Sequence, residues 1–122
     1  GIGGGWEIAC GNIVIEGGTV EVTGGDAGIG SGYEASCGDI TIRGGTVKAT
    51  GGYGAAGIGS GYYNSSCGNI TITSGVTEVT ATTGEDSPYS IGQGKDGYCG
   101  TVTIGGEVTG NITTSPYTYQ PE

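Results

Sequence analysis

The sequence predicts an all-β fold, a right-handed parallel β-helix of about three to four rungs, and three observations predict it. One unit of about thirty residues recurs along nearly the whole chain. Its apolar residues alternate with polar ones in runs too short to make a stable sheet by themselves. Glycine stands at fixed places between those runs, where a coil has to turn.

Composition supports a thin core. Of 122 residues only 34% are hydrophobic, 31 are Gly, and Phe and Met are absent, so little side-chain volume is on hand to fill a compact globule. Collagen needs Gly at every third position with abundant Pro, and this chain has three Pro and no such period. Disorder is disfavoured because Gly alternates with short β-branched runs such as Ile13-Val14-Ile15 and Thr19-Val20-Glu21-Val22.

The first segment of the unit, Cys10-Gly11-Asn12-Ile13-Val14-Ile15, returns as Cys37-Gly38-Asp39-Ile40-Thr41-Ile42, as Cys67-Gly68-Asn69-Ile70-Thr71-Ile72 and, more loosely, as Cys99-Gly100-Thr101-Val102-Thr103-Ile104. The second runs Gly17-Gly18-Thr19-Val20, Gly44-Gly45-Thr46-Val47, Ser74-Gly75-Val76-Thr77 and Gly105-Gly106-Glu107-Val108. The third is Gly28-Ile29-Gly30-Ser31-Gly32 and Gly57-Ile58-Gly59-Ser60-Gly61, with Gly1-Ile2-Gly3-Gly4-Gly5 before them and Ser90-Ile91-Gly92-Gln93-Gly94 after. Alternation puts Ile13, Ile15, Val20 and Val22 on one face. Stacking equivalent strands then builds a column of Ile13, Ile40, Ile70 and Val102 beside Ile15, Ile42, Ile72 and Ile104. The rungs fall at about 1–32, 33–61, 62–94 and 95–114, with an irregular tail at 115–122 containing Ser115-Pro116-Tyr117.

A hairpin-based barrel or prism is the competing fold, because Ile-Val-Ile-Glu-Gly-Gly-Thr-Val-Glu-Val also reads as two strands about a Gly-Gly turn, with Ile15 facing Val20. The fourth unit lacks a residue before Gly105, which would send the two apolar sets of a tight hairpin to opposite faces. Ser74 replaces the turn Gly in the third. The solenoid is the preferred reading.

The pattern Gly-Ile-Gly-x-Gly, then Cys-Gly-x-Ile-x-Ile-x-Gly-Gly-Thr-Val-x-Ala-x-Gly-Gly, resembles Gly-rich repeats of large secreted surface proteins of anaerobic bacteria. The resemblance covers nearly the whole chain. It implies a β-helical, adhesin-like or carbohydrate-binding setting at the cell surface, and it specifies a rung rather than an activity.

Twelve acidic residues against Arg43, Lys48 and Lys95 give a net charge of -9, which repels nucleic-acid phosphates and anionic lipid headgroups. No apolar run approaches the roughly twenty residues of a membrane span, and no signal segment opens the chain, as expected of an excised mature fragment. Gly28-Ile29-Gly30-Ser31-Gly32 looks like a phosphate loop, but it recurs in every unit with no helix after it, so it reads as a corner. There is no His, and Glu85-Asp86, before Ser87-Pro88, is the densest acidic spot; a solvated loop is its simplest explanation and no enzyme is expected. The nearest approach to a calcium-solenoid motif, Gly51-Gly52-Tyr53-Gly54-Ala55-Ala56, has Ala where the liganding Asp belongs, and Asp26, Asp39 and Asp96 are scattered, so neither metal nor cofactor is expected.

Cys10, Cys37, Cys67 and Cys99 come once per rung without the close pairing of zinc sites. Rungs about 4.8 Å apart would allow bridging. The favoured reading is a structural ladder of packed thiols at a corner, with Gly11 bending Cys10 back toward the core. The residue after each Gly-Ile-Gly-x-Gly is Trp6, Tyr33, Tyr62, then Lys95. Aromatic rings in one column, with Tyr63, Glu34 and Asn64 beside them, either cover a Gly-rich corner or offer faces on which sugars pack. The expected function is therefore a non-catalytic extracellular structural or adhesive segment, self-associating end to end through uncapped terminal rungs. The alternative is a carbohydrate-binding module that uses Trp6, Tyr33, Tyr62 and Tyr63 on surface glycans.

Overall fold

The computed structural model describes residues 1–87 and 89–105, together with the strand backbones Val108–Gly110 and Tyr117–Tyr119. Its strands are β1 (Ile2–Gly3), β2 (Ile13–Ile15), β3 (Thr19–Thr23), β4 (Ile29–Gly30), β5 (Ile40–Ile42), β6 (Gly45–Thr50), β7 (Ile58–Gly59), β8 (Ile70–Ile72), β9 (Val76–Thr82), β10 (Ile91–Gly92), β11 (Val102–Ile104), β12 (Val108–Gly110) and β13 (Tyr117–Tyr119). They stack into three sheets in which every pairing is parallel. Sheet A is β1-β4-β7-β10, sheet B is β13-β11-β8-β5-β2 and sheet C is β12-β9-β6-β3. The chain visits B, C and A in turn and then repeats, which makes it a β-solenoid of about three turns.

The hairpin alternative is overturned. Ile15 pairs with Ile42 in the next coil, and β2 makes no antiparallel partner of β3. The reason is burial: in the parallel register Ile40, Ile42, Ile70, Ile72 and Val102 are all 0% exposed, a contact set no isolated hairpin of three-residue strands could supply. Burying one such side chain contributes about 1.5–3 kcal/mol, so the column outweighs anything one unit could gain alone. The expected column is present in full, Ile13-Ile40-Ile70-Val102 beside Ile15-Ile42-Ile72-Ile104.

One alignment made on sequence is corrected. Ser74-Gly75-Val76-Thr77 does not superpose on Gly44-Gly45-Thr46-Val47; Gly45 lies opposite Val76, Thr46 opposite Glu78 and Val47 opposite Val79, with an irregularity between Gly45 and Thr46. Beyond that irregularity the sequence alignment is two residues off: it would set the exposed Thr77 on Val47, whereas the observed register sets Val79 on Val47 and Ala81 on Ala49, all four of them buried. The tail expected to be irregular contains β13, whose backbone pairs with β11. The rest of that tail, Gly106, Glu107 and Pro88 lie outside the described residues.

Glycine is required at two places. At Gly3, Gly30, Gly59 and Gly92 φ is +126 to +138°. A Cβ at any of the first three would overlap the carbonyl oxygen of the equivalent Gly in the next coil, so Gly-Ile-Gly is what permits sheet A to pack this closely. At Gly38, Gly68 and Gly100 a Cβ would overlap the side-chain oxygen of Asn12, Asp39 and Asn69 respectively. Those oxygens accept hydrogen bonds from the next coil: Asp39 N–H to Asn12 Oδ1 (2.8 Å), Asn69 N–H to Asp39 Oδ1 (2.9 Å) and Thr101 N–H to Asn69 Oδ1 (2.9 Å). Cys-Gly-Asn/Asp thus encodes a side-chain ladder joining rung to rung.

Candidate functional site: the aromatic edge

Sheet A ends in Gly-Ile-Gly-x-Gly, and the chain must then turn toward sheet B. It does so through left-handed residues, with φ of 51 to 57° at Glu7, Glu34, Tyr63, Asn64 and Asp96. Such angles cost a non-Gly residue free energy unless the surroundings hold them. Here backbone bonds between coils do so: Glu7 N–H to Tyr33 O (2.8 Å), Glu34 N–H to Tyr63 O (3.1 Å), Tyr63 N–H to Lys95 O (2.9 Å) and Asn64 N–H to Asp96 O (3.0 Å). The repeated turn sets one outward residue per coil above the next.

Trp6, Tyr33, Tyr62 and Tyr63 are brought together by that turn. Ring centroids lie 6.2 Å apart for Trp6 and Tyr33, 5.9 Å for Tyr33 and Tyr62, 5.8 Å for Tyr33 and Tyr63 and 6.3 Å for Tyr62 and Tyr63. The third unit has one more residue in this corner than the second, which is why two tyrosines occupy it. Tyr53 extends the strip, edge-on to Tyr62 at 5.3 Å. Trp6 is 66% exposed, Tyr53 50% and Tyr63 42%, while Tyr33 and Tyr62 are half-buried, so the rings form a continuous aromatic surface open to solvent.

Polar groups frame the strip at both ends. Asp86 Oδ2 accepts from Lys95 Nζ (2.6 Å) and from Tyr53 Oη (3.0 Å), and the Lys95 bond, then the Tyr53 bond, hold its carboxyl below the usual range. The same contacts raise Lys95 and Tyr53. At the other end, loss of solvent first, and then the hydrogen bond and charge of Glu7, raise Glu34. Tyr33 is raised in the same way, by desolvation and then by Glu34. A shallow cleft of about 250 Å³ beside Trp6 includes Asp26 and Ala27 in its wall, and a second of about 340 Å³ lies among Asp86, Ser87, Gln93 and Lys95.

Sequence reasoning named the ring column but missed Tyr53, the Asp86–Lys95 pair and the Glu7–Glu34 pair. Glu7 and Glu34 each follow the aromatic residue of their unit, a repeat that the sequence carries. Tyr53 and Asp86 sit in segments of unequal length with no repeat equivalents, and no spacing could have joined them. Asp39 serves the Asx ladder, and among the described residues no group of three or more His, Cys, Asp or Glu is placed to hold a metal ion.

The four cysteines line the approach to sheet B. All four are thiols, not disulfides. Cys37, Cys67 and Cys99 belong to the buried core cluster and Cys10 packs against it. The bend that turns them inward is made without a left-handed glycine, since Gly11, Gly38, Gly68 and Gly100 are not among the positive-φ residues.

A family model described as a beta helix repeat matches residues 13–33 and 40–62, two successive coils that include Tyr33 and Tyr62. No curated protein and no solved structure matches the chain. The fold is thus a parallel β-solenoid, part of which is similar to the beta helix repeat.

Proposed function

We propose that this chain is a non-catalytic, extracellular structural and adhesive repeat segment of a bacterial surface protein that stacks end to end with like segments. The observation that carries this reading is where the polar chemistry goes. Asn12, Asp39 and Asn69 join coil to coil, and so do the buried serines: Ser31 Oγ lies 2.6 Å from Ser65 Oγ, and Gly94 N–H donates to Ser60 Oγ at 2.8 Å. These polar side chains are engaged in extending a rod. Asp86, in the densest acidic spot of the sequence, is tied to Lys95 and Tyr53, so it is held ionised rather than poised to give up a proton. The parallel register that seats each coil on the last would seat the strands of a like segment equally well. Sedimentation of the intact chain and of a version ending at Thr114 tests the stacking: association should grow with concentration, most in the shorter chain. Monomers in both, from micromolar to millimolar, would refute it.

A second reading, a carbohydrate-binding module, is favoured by the exposed rings from Trp6 to Tyr53, because aromatic faces pack on the apolar faces of sugars while flanking carboxylates accept from hydroxyls. A glycan array with the wild type and a Trp6→Ala/Tyr33→Ala variant distinguishes the two. Binding that disappears in the variant selects the module, and no binding by either leaves the structural segment.

A further inference from the structure

The cysteine column has a property that packing does not require. The cysteines hold one position in successive coils: Cys10, Cys37 and Cys67 each donate a backbone N–H to the residue just before the next cysteine, Ser36 O (3.0 Å), Ser66 O (3.0 Å) and Tyr98 O (3.1 Å), which stacks neighbouring thiols one coil apart. Exposure falls along the column, from half-buried Cys10 through Cys37 at 9% and Cys67 at 4% to Cys99 at 0%. We propose that the column is a disulfide relay: oxidising equivalents from a small-molecule disulfide such as oxidised glutathione enter at Cys10, move inward by thiol–disulfide exchange, and end as two rung-to-rung bridges, Cys10–Cys37 and Cys67–Cys99.

Geometry selects that end state. Adjacent coils are about 4.8 Å apart, inside the Cα separation of about 4.4–6.8 Å that a disulfide spans, whereas coils two apart are at roughly 10 Å and outside it. Four cysteines allow three complete pairings. Only Cys10–Cys37 with Cys67–Cys99 joins neighbours alone; pairing Cys37 with Cys67 first would strand Cys10 and Cys99 three coils apart.

The chemistry balances at each step. The Cys10 thiolate attacks the oxidant, expelling one thiolate and leaving a mixed disulfide. Cys37, as thiolate, attacks the Cys10 sulfur and expels the second, so two protein thiols have lost two protons and two electrons and the oxidant has become two thiols. Cys67 then attacks the Cys37 sulfur; the Cys10–Cys37 bond breaks and Cys10 leaves as a thiolate that takes up the proton Cys67 lost. Attack by Cys99 on Cys67 forms Cys67–Cys99 and releases Cys37, and Cys10 and Cys37 are oxidised again by a second molecule. Stacking along the solenoid axis sets each third sulfur beyond the bond it must break. The Cys67 hydrogen bond holds Cys37 below the usual thiol range, which suits a resolving thiolate. Cys67 itself is pushed strongly up by its bonds to Cys37 and Cys99, which makes exchange at that sulfur the slow step.

The test takes the reduced, folded chain, adds oxidised glutathione, alkylates samples over time and maps the links by mass spectrometry. The expected order is Cys10–Cys37, then a transient Cys37–Cys67, then Cys67–Cys99. Cys10→Ser and Cys37→Ser, each checked for wild-type circular dichroism, should slow the inner bridge at least about tenfold, because the buried pair loses its route to the oxidant. Formation of Cys67–Cys99 at the wild-type rate in Cys10→Ser would overturn the relay, as would four thiols unchanged in the folded chain or any link that skips a coil. Were the variants not to fold, the wild-type time course decides by itself: an inner bridge that precedes the outer one refutes the proposal.

Discussion

Between one coil and the next, the approach to sheet B always takes the same form, Cys-Gly-Asx or Cys-Gly-Thr and then the strand, whereas the crossing from sheet C to sheet A takes residues 24–28, then 51–57, then 83–90. The first region is templated. Each Asx oxygen bonds the backbone of the following coil and occupies the space a Cβ on the following Gly would need, so an inserted residue would cost a hydrogen bond and create an overlap at once. The second region varies in length, which costs little loop entropy, and its longer versions keep Ala55 and Ala56 buried while setting Tyr53, Glu85 and Asp86 outside. Tyr53 and Asp86 arise there and join the aromatic edge. The Cys-Gly-Asx corner therefore carries a ladder between coils, while the varied crossing adds Tyr53 and Asp86 to an aromatic edge whose other rings, Trp6, Tyr33, Tyr62 and Tyr63, stand in the turn before that corner.

The strongest way to break that division is Gly30→Ala. A φ of +138° strains any side chain by about 1–3 kcal/mol, and a Cβ overlapping Gly59 O adds about 1–3 kcal/mol of overpacking. The loss should appear as a lowered urea midpoint with an unchanged m-value. A midpoint equal to that of wild type would show that sheet A is not packed as described.

Asn69→Ala should cost less, about 1 kcal/mol, because the Thr101 N–H it leaves behind is near enough to solvent to find water. Its signature is local: the Thr101 amide should exchange hydrogen faster while core amides in β8 keep their protection.

The smallest effect belongs to the aromatic edge and is a slope rather than a loss. Glu34 in the folded chain titrates above its ordinary 4.5, so the folded state holds a proton that the unfolded state has released. Its contribution is therefore present below that pH and is lost as pH rises through the raised value. Glu34→Gln should flatten this fall in melting temperature as pH rises from 4.5. Asp86 acts with the opposite sign: its contribution stands above 3.8 and is lost as pH falls through its lowered value, so Asp86→Asn should remove a decline on the acid side.

The solenoid, the Ile columns and the ring column were legible in the sequence because each rests on a period, and a period in sequence becomes a neighbour in space when coils stack. Parallel pairing of Ile15 with Ile42 rather than turn-closing with Val20 followed from the same argument. Tertiary structure alone decided the rest. The third coil's register was set by keeping Val79 over Val47, a burial condition that similarity to Gly-Gly-Thr-Val could not express. The role of Gly38 and Gly68 depended on an oxygen from another coil. Asp86 met Tyr53 and Lys95 only because loops of different length converge on one corner, and contacts between residues without repeat partners leave no trace in a periodic pattern.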